Sequence, residues 1–93
     1  GSISDFTKAI QINPQDAIAY YNRALSKSES KNIQGAIADY TKSIEINPQN
    51  ASAYLNRGIE RERVNDLKGA CDDWGKAAGL GKEKAAEWVK KQC

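Results

Sequence analysis

Ninety-three residues with 14 lysines and arginines, 12 aspartates and glutamates and no histidine make one small domain of net charge +2. That length leaves too little volume for a deep pocket ringed by catalytic groups, and the missing histidine removes the commonest general base and most metal sites, so neither an enzyme nor a metal or other cofactor is expected. No run of like charge reaches five residues and no apolar run approaches the ~20 residues that cross a bilayer, so nothing asks for nucleic acid or membrane insertion.

Gly1-Ser2 reads as the remnant of a cleaved affinity tag, outside the fold. Next comes a helix over roughly 2–12, with Ile3, Phe6 and Ile10 as its apolar stripe. Asn13-Pro14 closes it, because the residue before a proline avoids the helical region, while the proline suits the first turn of a new helix over roughly 15–29. A break near Ser30-Lys31-Asn32 leads to a third helix, roughly 33–46, whose Ile37, Tyr40 and Ile44 share one face. Asn47-Pro48 repeats the boundary and opens a helix over roughly 49–63, which stops near Asn65-Asp66. Ala70, Trp74, Ala77 and Ala78 line the core face of a fifth helix, roughly 67–78. Gly79-Leu-Gly81 is a stop with two glycines free to take positive φ. The last helix, roughly 82–92, sets Ala85, Trp88 and Val89 on one face and charges elsewhere, as a terminal cap must.

These elements repeat. The stretch Ile3 to Pro14 returns 34 residues later as Ile37 to Pro48, and Ala17, Ala19, Tyr20, Asn22 and Arg23 return as Ala51, Ala53, Tyr54, Asn56 and Arg57. A fixed period in this range means stacked supersecondary units, each burying its apolar face against the next. The pattern resembles the tetratricopeptide repeat, carried by Tyr20, Ala24, Ala36, Tyr40, Ser43 and Pro48 in one unit and Tyr54, Gly58, Ala70, Trp74 and Ala77 in the next. Lys82 stands where the family has proline, Arg23 and Arg57 replace its leucine, and Lys27 and Arg61 replace its tyrosine. The resemblance implies an all-α fold, an α-solenoid of antiparallel helix pairs wound as a right-handed superhelix. On that reading residues 3–14 are the second helix of a truncated preceding repeat, 15–48 the first full repeat, 49–81 the second, and 82–93 a capping helix with which the array ends.

The family's first helices line a concave groove that holds an extended peptide or a partner helix. Carried over position by position, the implied groove presents Ile18, Tyr21, Asn22, Leu25 and Glu29 from one unit and Ser52, Leu55, Asn56, Ile59, Glu62 and Arg63 from the other. Tyr21, Leu25, Leu55 and Ile59 would form its apolar floor, and Asn22 and Asn56 could hold a ligand's main chain or serve neighbouring helices instead. Some members clamp the terminal carboxylate of chaperones with basic residues at fixed groove positions. Here those places hold Tyr21, Leu25, Ser52 and Lys90, and only Asn56 fits, which disfavours a chaperone tail.

A protein-interaction module is therefore the leading expectation, with another protein or a peptide segment as partner. Two alternatives stand beside it. The uncovered stripe of Ile3, Phe6 and Ile10 predicts self-assembly, a homodimer or a swapped helix, and Lys82, Lys84, Lys90 and Lys91 offer a basic contact for nucleic acid or lipid.

Other signals point to structure rather than chemistry. Gly75, Gly79, Gly81 and Lys82 miss the phosphate-loop spacing, and Asp72 and Asp73 point about 100° apart on a helix. Asp5, Asp39 and Asp73 recur in step with Arg23 and Arg57, which predicts a ladder of arginine–carboxylate pairs, Arg57 reaching either Asp39 or Asp73, with arginines gripping an acidic ligand as the competing reading. Cys71 and Cys93 each lie 11 residues from Lys82, so an antiparallel pair of helices turning there brings them to one height. A disulfide and two free thiols are both open. The bond would imply a periplasmic, lumenal or secretory setting, and free thiols a cytoplasmic one.

Overall fold

A computed structural model describes residues 3–93, and the reading of Gly1-Ser2 lies outside the described residues. Six helices follow one another: α1 Ile3–Ile12, α2 Ala17–Glu29, α3 Ile33–Ile46, α4 Ala51–Arg63, α5 Leu67–Gly79 and α6 Glu83–Gln92. Each packs mainly against its neighbours in sequence, in a body extending 40 × 25 × 17 Å. Packing of this nearest-neighbour kind makes a solenoid, in which each pair of helices buries its stripe against the next.

Polar side chains decide where the helices begin. Asp16, Asn32, Asn50 and Asp66 are N-caps whose side-chain oxygens accept the backbone N–H three residues on. The prolines play a different part from the one the sequence suggests. Asn13 and Asn47 each accept the N–H of Gln15 and Gln49 through the side chain, folding Pro14 and Pro48 into a turn ahead of the cap. Helices α2 and α4 therefore start at Ala17 and Ala51, two residues later than expected.

Left-handed residues decide the ends of α2, α4 and α5. Lys31, Asn65 and Gly81 have φ of 68°, 65° and 108°. At all three ends the following N–H returns to a carbonyl in the last turn: Asn32 to Lys27, Asp66 to Arg61 and Lys82 to Ala77. Only Gly81 of the two glycines flanking Leu80 takes positive φ, while Gly79 is the last residue of α5.

The core runs along the stack as Ala24, Ala36, Tyr40 and Ile44, then Ala53, Tyr54, Ala70, Trp74 and Ala77, and ends on Ala85. Small residues on one helix admit the large rings of the next. By contrast α1 holds no buried residue, with Ile3 exposed and Phe6 and Ile10 half-covered.

Candidate functional site

The face of α2 and α4 is held in place by a motif that repeats with the sequence. Arg23 on α2 donates through Nε and Nη2 to both carboxylate oxygens of Asp39 on α3, at 2.7 and 2.8 Å. Arg57 on α4 does the same to Asp73 on α5, at 2.9 and 2.7 Å. Each remaining Nη1 reaches back one helix, to Thr7 and to Thr41, both at 3.2 Å. One arginine thus joins three helices, and each guanidinium also lies over a tyrosine ring of its own helix, Tyr20 or Tyr54. Of the two partners open to Arg57 in the sequence, the carboxylate it takes is that of Asp73.

Lys27 and Arg61 complete the motif by adding a second base to the same carboxylates, Asp39 and Asp73, at 3.1 Å in both cases. The bases that replace leucine and tyrosine in each unit therefore act as one set. Burial pushes the Asp39 carboxyl up, but the hydrogen bonds and charges of Arg23 and Lys27 outweigh that and hold it below the usual carboxylate range. The hydrogen bond to Asp39 raises Arg23 against the opposing effect of burial. Among the described residues no buried side-chain nitrogen or oxygen lacks a hydrogen-bond partner.

On that frame, the implied groove residues fall into distinct environments. Ile18 is 71% exposed and Glu29 is exposed, whereas Tyr21, Leu25 and Leu55 pack against the core, Tyr21 edge-on to Tyr40 at 5.7 Å between centroids. Asn22 and Ser52 are half-buried and make no side-chain hydrogen bond among the described residues. Asn56 differs from its repeat mate, since its Nδ2 donates to the Tyr21 hydroxyl at 3.0 Å, while its Oδ1 is unengaged among the described residues. Arg63 is drawn to the buried Glu60 at 2.9 Å and to Ser28, which itself donates to Glu60 at 2.6 Å. Those bonds tie α2 to α4 across the face.

Ile59 and Glu62 stand elsewhere, on the wall of a cavity of about 310 Å³ completed by Trp74, Trp88 and Gln92. The tryptophans meet edge to face, 5.1 Å between centroids. Sequence reasoning placed Trp74 and Trp88 only as core residues of a repeat and a cap; the signal was Trp88 falling in the slot that Tyr20 and Tyr54 fill in their units. At the far end of α6, Cys93 is bonded to Cys71 of α5, with Cα atoms 6.0 Å apart. Among the described residues no cluster of acidic, cysteine or histidine side chains could hold a metal ion, and no helix is long and apolar enough to cross a membrane.

The model of the tetratricopeptide repeat family matches residues 17–50. The Arabidopsis OM64 tetratricopeptide repeat domain is 36% identical over 96% of this chain and 74% of that one, with a TM-score of 0.88. The chain belongs to the tetratricopeptide repeat family. Its fold is the family's all-α solenoid, and its general role is that of a protein–protein interaction module. YrrB, a tetratricopeptide repeat protein with an unusual peptide-binding site, is 33% identical over 92% of this chain, which spans 45% of its length, at a TM-score of 0.82. The first tetratricopeptide repeat of Spaghetti (RPAP3), bound to the HSP90 peptide SRMEEVD, shares the fold at a TM-score of 0.89 and 24% identity, over 96% of this chain and 72% of that one. No curated protein matches the chain.

Proposed function

We propose that this tetratricopeptide repeat domain binds an extended peptide or a partner helix in a groove lined by α2, α4 and the capping helix α6, with units at 15–48 and 49–81 flanked by 3–14 and 82–93. The observation that carries the reading is the pair Asn22 and Asn56, 34 residues apart. Among the described residues Asn22 has an unengaged amide, and Asn56 has an unengaged carbonyl oxygen on an amide whose nitrogen donates to the Tyr21 hydroxyl. Such groups bond a ligand's main chain whatever its side chains. The HSP90 peptide bound to Spaghetti and the unusual peptide-binding site of YrrB are consistent with that use of the fold. At the positions of the chaperone clamp this chain has Tyr21 and Leu25, so the reading favours an internal segment over a terminal carboxylate.

The test is selection from an unbiased displayed peptide library, with Asn22→Ala/Asn56→Ala as control. A motif enriched by the wild type and lost by the double variant supports the groove; equal enrichment by both removes it. Self-assembly is the second reading, favoured by α1, which buries none of its residues while Ile3 is 37% and Ile12 86% exposed. A light-scattering mass that stays monomeric over a wide concentration range rejects it.

A further inference from the structure

We propose that the cavity between α4, α5 and α6 is a subsite for a positively charged side chain, an arginine or a lysine, of the bound segment. The inference rests on the groove reading above and names the chemistry of one end of it. The cavity, about 310 Å³, lies at the low end of ligand pockets and suits a single side chain. Its walls are two tryptophans, one aliphatic residue, Ile59, one carboxylate, Glu62, and the neutral amide of Gln92.

The electrostatics of those walls select the ligand. Of the consecutive charged residues on α4, Glu60, Arg61 and Arg63 are all spent, on Ser28 and Arg63, on Asp73, and on Glu60 in turn. Glu62 is exposed and has no ion pair or side-chain hydrogen bond among the described residues, and no lysine of α6 reaches it. The Trp74 indole N–H is consumed by the Leu55 carbonyl at 3.3 Å, which fixes that ring. Trp88 is half-buried, and its N–H is unengaged among the described residues. Trp74 is 1% exposed and backs the cavity, so the open aromatic wall is Trp88. An aromatic face attracts a cation and the unpaired Glu62 carboxylate adds a charged acceptor, so guanidinium or ammonium gains from both, whereas an anion is repelled. The bond from Cys93, next to Gln92, to Cys71 fastens the end of α6 and presets the wall that carries Trp88.

The experiment follows the indole N–H signals of the whole domain by NMR, with Trp88 assigned through Trp88→Phe, while N-acetyl-arginine amide or its uncharged counterpart N-acetyl-citrulline amide is added. The expected result is saturable movement of the Trp88 signal with arginine, at a Kd on the order of 1–10 mM, none with citrulline, and about three- to fivefold weaker binding in Glu62→Gln. Glu62 is exposed, so that variant keeps its fold, checked by unchanged circular dichroism. Equal response to citrulline, undiminished binding in Glu62→Gln, or no saturable shift overturns the subsite. None of those results bears on the asparagine pair, which the peptide selection tests by itself.

Discussion

Gly58 of α4 and Trp74 of α5 fit each other so closely that a Cβ on the glycine would lie 2.5 Å from the indole nitrogen and 2.6 Å from its neighbouring carbon. Thirty-four residues earlier the matching positions hold Ala24 and Tyr40, a larger residue and a smaller ring, both buried in the same core cluster. The expected outcome is that Gly58→Ala destabilises the domain by about 1–3 kcal/mol, and that adding Trp74→Tyr recovers part of the loss. Urea denaturation of the double-mutant cycle checks it; additive losses would show that the two sites are independent.

Asp73 accepts from Arg57 and Arg61, and its side chain is 4% exposed. Removing it leaves the Arg57 guanidinium, 12% exposed, without its counter-charge, so Asp73→Ala is expected to cost about 3–5 kcal/mol. The exposed pair Lys42 and Glu45 provides the contrast, and Lys42→Ala should change stability by no more than about 0.5 kcal/mol. Chemical denaturation of both variants separates the two cases.

Asp39 gives the pH dependence. Its carboxyl is held below the ordinary range in the folded state, so the folded protein releases that proton more readily than the unfolded chain. The stability it contributes is present above the unfolded value of about 4 and is lost as pH falls through the folded value. Denaturation midpoints measured from pH 6 to pH 2 should fall at the acid end in the wild type and less steeply in Asp39→Asn.

Lys31 occupies the left-handed region, φ 68°, where its side chain is exposed and a glycine would be unstrained. Lys31→Gly is expected to raise stability by up to about 1 kcal/mol, the relief of the left-handed penalty exceeding the greater entropy of an unfolded glycine. An unchanged or lower thermal midpoint would refute it.

The disulfide spans 22 residues and closes the loop from α5 to α6. Constraint of the unfolded chain by a loop of this length is worth about 3 kcal/mol. Because α6 packs chiefly on α5, reduction or Cys93→Ser should loosen that helix first. A red shift of Trp88 emission, read in a Trp74→Phe background, before the loss of helical circular dichroism reports that order.

Much of this protein follows from its sequence alone. A period of 34 residues, with apolar positions three and four apart, determines six helices and their pairing, because helix periodicity and nearest-neighbour stacking are local properties. The recurrence of Arg23 and Arg57 with Asp39 and Asp73 predicts a ladder, which the bonds Arg23–Asp39 and Arg57–Asp73 form. Tertiary structure decided the rest, since it turns on distances between helices. It chose Asp73 over Asp39 for Arg57 and put a second base on each carboxylate. It moved the prolines into turns ahead of the helices that Asp16 and Asn50 cap, and brought Cys71 to Cys93. It also set Asn56 apart from Asn22 by placing a tyrosine hydroxyl beside only one of them. Above all, the cavity of Ile59, Glu62, Trp74, Trp88 and Gln92 draws its walls from three helices, and no periodicity within any one helix encodes the space left between three.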